Sequence, residues 1–498
     1  LNNIRVTYSG LIAFAVSMTS VLTGITFTLI VTRKLSVEEF GIWSIVGSMT
    51  TYFMIVEPIV SFWSTRQIAR GEEVGKTSLI SSVIFSFCSV PIYLVLAYFV
   101  SFVNRSYFDT MILGVVLIPV SFISQTLTAL NLGFKPQSAS YGILAFEFLK
   151  IPAGLALVYF LNLGVNGAII AVLVGYLGKI GILAFFGKEK LKGQFKKEIF
   201  QWWIKLSWLP LYSRINKLLG LVDVVIYTTI TGSIVGAAYF SAAFAMANII
   251  SYATAISQGL IPKLLAKGSY DHVRETITRL MFFTIPLLGI SIIFAKPALF
   301  ALNPAYSNAS VLVIMLGFKT FFYVLSSTFN DILVSIETID IEKNPKYSVY
   351  IKSKLFLIPT INNIQYGIYI VVMIIVLFIL NSTHQSQIEL VKWWIFSGLI
   401  TTIPFLIISW FLLQKHVKLS FPYISTIKYG IGTTASGLAF HMTSNFFINY
   451  HRSIYDFLPG VIFEAVIFLG IYLFTTYMLD EKTRLLLKAI TTEFTNRN

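Results

Sequence analysis

Residues 203–241 read WIKLSWLPLYSRINKLLGLVDVVIYTTITGSIVGAAYFS. The run is apolar and long enough to cross a bilayer, yet it holds Arg214, Asn216, Lys217 and Asp223. A charge at the bilayer centre is costly, so such residues usually face a polar cavity and act there. The rest of the chain reads as scaffold around that cavity, in two similar halves.

The totals agree with a membrane setting. Of 498 residues, 56% are hydrophobic and 12% charged, and the mean hydropathy is +0.78. Soluble domains carry about twice that share of charge. The formal net charge of +15 suits a protein lying against an anionic leaflet and its membrane lipids. Nucleic acid is a poor partner, because no soluble segment is long enough to bind it. The single cysteine, Cys88, lies in an apolar run and allows no disulfide framework within the chain. Residues 6–32 exceed a signal-peptide core and show no small-residue cleavage site, so they read as a retained first helix.

Apolar runs of spanning length recur near 6–32, 41–63, 78–103, 109–130, 138–160, 165–186, 204–230, 236–260, 280–302, 309–333, 359–380, 393–413, 427–448 and 456–479. The expected fold is thus an all-α polytopic membrane protein of about fourteen transmembrane helices. Loop lysines and arginines set the orientation. One set of alternate loops, with Arg5 and the C-terminal tail, holds about 26 of them and the other set 6. This bias predicts both termini in the cytoplasm. Lys150, Lys179, Arg214, Lys217 and Lys319 are left over within the runs, once Lys205, Lys296 and Lys428, inside run boundaries, are counted with the adjoining loops. Asn104, Asn308 and Asn381 open glycosylation-type triplets in loops assigned outside.

An internal repeat organises the runs. Residues 32–44 (TRKLSVEEFGIWS) and 229–241 (TITGSIVGAAYFS) each place a short connection, then a glycine (Gly41, Gly236), at the start of the next span. The offset of six spans keeps both units in one orientation, so a pseudo-twofold axis should run along the membrane normal. The expected organisation is an N-lobe at 1–187 (six helices), a basic amphipathic linker at 188–203, a C-lobe at 204–414 (six helices), and two extra helices within 415–498. The linker, KEKLKGQFKKEIFQWW, reads equally as a membrane-surface helix or a solvated connection with aromatic anchors.

The segment from Arg33 to Ser44 (R-x-L, four residues, F-G-I-W-S), then Arg66-Gln-Ile-Ala-Arg70, resembles the polysaccharide or oligosaccharidyl-lipid flippase (Wzx-like) branch of the MOP exporter superfamily. Asp223 followed by Gly236-Ala-Ala-Tyr239 is similar to that family's seventh and eighth spans, and KSKLF at 352–356 suggests an archaeal member. The resemblance implies alternating access by two six-helix lobes. It implies transport of a lipid-linked sugar from the inner to the outer leaflet of a prokaryotic plasma membrane, with the last two helices helping to form a lipid groove. Its partners would be a polyprenyl (pyro)phosphate-linked glycan and other glycan-assembly membrane proteins. A monomer suffices, because the repeat lies within one chain. The resemblance carries over no functional residue by name.

The site therefore comes from the residues. At about 1.5 Å rise per residue through about 30 Å of hydrocarbon, Arg214, Lys217, Lys150 and Lys319 fall at mid-depth. Arg214 and Lys217, three apart, share a helical face, as do Glu147 and Lys150. Together the four cations form a candidate cavity for a phosphate headgroup, which arginine grips in a bidentate way. Glu147 and Lys150 read alternatively as a buried pair, and Lys179 and Glu57 as residues near inner helix ends that snorkel. Glu57, Glu147, Asp223 and Glu464 are candidate proton or sodium sites.

Other signals point away from catalysis. Gly71-Glu-Glu-Val-Gly75-Lys76-Thr77 has three residues between its glycines where a phosphate-binding loop has four, and follows a span rather than a strand. His272, His384, His416, His441 and His451 show no metal spacing, so neither a metal nor another cofactor is expected. Two rival readings remain: a MATE-like cation or multidrug antiporter of the same broad fold, which should line its cavity with acids, and a membrane-embedded transferase using Asp331, Glu337, Asp340 and Glu342.

Overall fold

The computed structural model describes residues 6–35, 37–104, 108–232, 234–266, 270–302, 304–341, 347–383, 385–451 and 453–495. At some helical positions, Lys217 among them, only the backbone is described. The expected loop cations Arg5, Arg105, Lys267, Lys343, Lys346, Arg452 and Arg497, with Glu342 and His384, lie outside the described residues.

The protein is all-α, with no strand among the described residues. Among the described residues ten helices are long and apolar enough to cross a membrane, or eleven if one bent pair forms a single span. Apolar runs become helices here because hydrocarbon offers the backbone no other hydrogen-bond partner. The count differs from the expected fourteen at segments with physical reasons. The run at 41–63 bends by 53° between Ile45–Val56 and Pro58–Ala69, where Pro58 follows Glu57. The run at 204–230 is divided into the helices Lys197–Lys205, Trp208–Tyr212 and Ile215–Thr231. Pro210 removes a backbone donor there. Helix Tyr423–Phe447 has 25 residues, but Thr433, Thr434, Ser436, His441 and Thr443 lower its hydropathy. Helix Val6–Lys34 carries a shorter apolar stretch, Tyr8–Gly24.

The chain separates into two compact units, residues 1–215 with 255–269 and 335–359, and residues 216–254 with 270–334 and 360–498. In the first unit, Pro136–Gly154 packs along Gly164–Gly187 and Val6–Lys34. Its core gathers Phe27, Val31, Val46, Tyr93, Phe122 and Val158. After Pro152 the helix widens to a π segment at Leu155–Phe160, which accommodates the missing proline donor. The linker forms helix Lys197–Lys205, and its aromatic face packs inward. Trp203 is 1% exposed and donates its Nε1–H to Gln67 Oε1 at 2.9 Å, while Trp202 packs on Trp63.

In the second unit, Tyr423–Phe447 and Ile454–Leu479 form a hairpin that packs against Asp271–Ile293. The core joins Tyr227, Phe240, Leu316, Tyr369 and Trp394. A Cβ at Gly236 would lie 1.9 Å from Tyr227 Oη, so the repeat glycine is required by the tyrosine packed over it. Helix Ile234–Ala247 continues into a twelve-residue 3-10 segment, Asn248–Gly259. Such runs rarely exceed three or four residues and often mark a hinge.

Candidate functional site

The second unit contains a cavity of about 700 Å³. Its charged lining residues are Asp223, from helix Ile215–Thr231, and Lys319, from helix Ser310–Ser335. Tyr369 stands between them. Its hydroxyl donates to Asp223 Oδ2 at 2.9 Å and accepts the Trp394 Nε1–H at 2.8 Å. Lys319 Nζ lies 4.8 Å from the centre of the same tyrosine ring. Asp223 Oδ1 accepts the Val224 N–H at 2.8 Å. The lysine reaches this place because residue 398 is glycine: a Cβ there would come within 2.6 Å of Nζ. Trp394 is itself fixed by stacking on Phe240 and Tyr227, at ring separations of 3.9 and 4.8 Å. The acid and the base are thus oriented by a rigid aromatic stack.

In the first unit, Glu57 sits where helix gives way at Pro58. It is 5% exposed, and Oε2 accepts the Ser61 hydroxyl at 2.9 Å. Oε1 is buried with no hydrogen-bond partner. The positive charges of Arg214 and Lys179 act on this carboxylate. Lys179 is 8% exposed, so neither residue snorkels to an interface, contrary to the sequence-based reading. Arg214 is partly buried and occupies the turn before helix Ile215–Thr231. The side chain of Lys217 lies outside the described residues.

Lys150 has close neighbours of its own. Nζ is 2.7 Å from Glu147 Oε2 and lies over the rings of Phe146 and Phe27. Glu147 Oε1 accepts the Ser20 hydroxyl at 2.8 Å. This is the buried-pair alternative that the sequence left open. Glu464 is fully buried in helix Ile454–Leu479, with Oε2 accepting the Thr443 hydroxyl at 2.9 Å and Oε1 without a hydrogen-bond partner. The structure thus assigns Arg214 and Lys150 to the first unit, and Lys217 and Lys319 to the second.

Two of the acids proposed for a transferase, Asp340 and Glu337, have structural partners. Asp340 is held by Arg66 Nε at 2.6 Å and Arg70 Nη1 at 2.5 Å. Both arginines also donate to the Glu337 carbonyl, at 2.7 and 2.9 Å. Glu337 itself receives the backbone N–H groups of Thr338 and Lys354. The Arg66-Gln-Ile-Ala-Arg70 motif is therefore a clamp on residues 337–340, all within the first unit. Burial pushes the Asp340 carboxyl up, but the charges and hydrogen bonds of Arg66 and Arg70 outweigh it and hold it at about 2. Among the described residues no cluster of metal-ligating side chains occurs. Sequence reasoning missed Tyr366, Tyr369, Trp394 and Gly398. A signal was present: Asn362, Asn363 and Gln365 interrupt the apolar run at 359–380, as a helix facing a polar cavity would.

No family model and no curated protein matches the chain. Solved structures do. A MATE protein in complex with MaL6 aligns with TM-score 0.63 and 13% identity, over 84% of this chain and 96% of that one. A mutant of the MATE transporter VcmN from Vibrio cholerae gives 0.61 and 14%, over 83% and 96%. A MOP-superfamily transporter from Pyrococcus furiosus, whose binding pocket has reverse polarity that suggests a different function, gives 0.56 and 15%, over 84% and 96%. The chain has the multi-pass membrane fold of MATE and other MOP-superfamily transporters.

Proposed function

We propose that the protein is a flippase. It moves a polyprenyl (pyro)phosphate-linked oligosaccharide or polysaccharide precursor from the inner to the outer leaflet by alternating access. The membrane is a prokaryotic plasma membrane, archaeal by the KSKLF run, with both termini cytoplasmic. The observation that carries this reading is the charge around Glu57. Two cations, Arg214 and Lys179, act on that one buried carboxylate, leaving a positive excess inside an apolar protein. Such an excess attracts an anionic headgroup and repels a cationic drug. Arg214 and Lys217 bind the phosphate, with Lys150 as a further cation; Glu57, Glu147 and Glu464 are the candidates for ion coupling.

The test is equilibrium binding of polyprenyl pyrophosphate carrying a sugar, wild type against Arg214→Ala/Lys217→Ala. Saturable binding that the double variant loses supports the reading. Binding of cationic drugs with no binding of the lipid would replace it with a MATE-like antiporter. One observation favours that second reading: Glu464 is fully buried, and among the described residues its hydrogen-bond partner is the Thr443 hydroxyl alone.

A further inference from the structure

The cavity of the second unit differs in kind from a phosphate site. Among the described residues its lining carries one acid and one base. Asp223 is already engaged on both oxygens, by Tyr369 and Val224. A pyrophosphate here would meet a single ammonium and a carboxylate beside it, which repels it. A cationic ligand would meet, among the described residues, one acid whose charge Lys319 already offsets.

The hydroxyl groups of the wall are also oriented. Ser251 donates to the Asn248 carbonyl at 2.7 Å, and Thr401 to the Ser397 and Gly398 carbonyls at 3.0 Å. Thr402 donates to the Gly398 carbonyl at 2.7 Å and receives the Gln365 amide at 3.4 Å. With their protons directed into the backbone, these oxygens offer lone pairs to a ligand. Acceptors of this kind suit a ligand rich in O–H donors, whereas an ionised phosphate has none to give. Aromatic surface completes the wall: Tyr323 and Phe244 line it and are 45% and 44% exposed. A flat ring of this sort offers an apolar face together with, in tyrosine, a polar tip. The C–H face of a pyranose with its rim of hydroxyls is the complementary shape. The volume lies within the roughly 300–1,000 Å³ of small-molecule sites.

We propose that this cavity is a carbohydrate subsite that receives the neutral sugar rings of the transported lipid and leaves the phosphate to the cations elsewhere. Tyr323 provides the stacking surface, and Gln365, Ser251 and Thr401 the hydrogen bonds. Tyr369 and Trp394 position Lys319 and Asp223, which neutralise each other's field. Asn248, Ser251 and Thr254 belong to the 3-10 segment Asn248–Gly259, so a bound sugar rests directly against this irregular stretch. The subsite rests on the flippase reading and adds selection for the glycan to it.

The experiment compares two probes on the purified full chain in nanodiscs: bare polyprenyl pyrophosphate, and the same lipid carrying an N-acetylglucosamine disaccharide. Wild type should bind the glycosylated lipid at least tenfold more tightly. Tyr323→Leu/Gln365→Leu should reduce that advantage to less than threefold while leaving the affinity for the bare lipid unchanged, which also shows that the variant is folded. Equal binding of both lipids by wild type, or an undiminished advantage in the variant, overturns the subsite and leaves the flippase reading standing. Failure of both lipids to bind wild type overturns both.

Discussion

Asp340 shows how much one residue can hold in place. Its carboxylate is 1% exposed as a side chain and faces two arginines that are themselves nearly buried. Because its folded pKa lies below the usual value of about 3.9, its stabilisation is fully present above that value. It fades as pH falls through about 2. The expected contribution at neutral pH is about 2–3 kcal/mol. Removing the charge with Asp340→Asn strands two cations, so a loss of about 3–5 kcal/mol is expected, read as a lower melting temperature at pH 7. Wild type should approach the variant as the pH is taken toward 2. Gly398 is the second decisive residue. Gly398→Ala places a methyl group where Lys319 Nζ lies, so transport should fall at least tenfold. Gly367→Ala, which meets nothing within 4 Å, serves as the control and should leave it unchanged. The sequence offered Asp340 only as a transferase acid and did not single out Gly398: an aspartate in a loop and a glycine in an apolar run do not show their structural partners until those arrive from far along the chain.

At the scale of elements, the informative places are where helices depart from regularity. The break at Glu57–Pro58, the π segment after Pro152 and the 3-10 run Asn248–Gly259 each expose backbone or aim a polar side chain inward. The first two were signalled by proline. The third has no proline, and its scattered polar residues do not by themselves announce a change of helix type, so tertiary structure alone reveals it. The linker helix Lys197–Lys205 gives a direct test. Trp203→Phe keeps an aromatic ring but removes the donor to Gln67 and part of the buried indole volume, for an expected loss of about 1–2 kcal/mol. Trp203→Ala also empties a fully buried position and should cost about 3–5 kcal/mol. If both are neutral in thermal unfolding, the linker's aromatic face is not docked in solution.

For the whole molecule, the distribution of loop cations makes a topological prediction. Cys88 is the only cysteine, so Cys88→Ser gives a background for single reporters. A membrane-impermeant maleimide applied to intact cells should leave Lys192→Cys unlabelled and label Ser382→Cys; the reverse pattern would invert the orientation. The sequence by itself determined the membrane class, the helical fold and most of the spanning helices. Each of these depends on local composition and on the bilayer's demand that backbone groups be satisfied within a segment. Tertiary structure alone decided which charges have partners. Lys150 is held by Glu147, three residues away, and that pair could be read in advance. Lys319 meets Asp223 and Tyr369 from two other helices, while Arg214 and Lys179 act on Glu57 across more than a hundred residues of chain. Such distant pairings follow from helix packing, in which side-chain shape chooses the neighbours, and helical periodicity shows which face is buried but not against what.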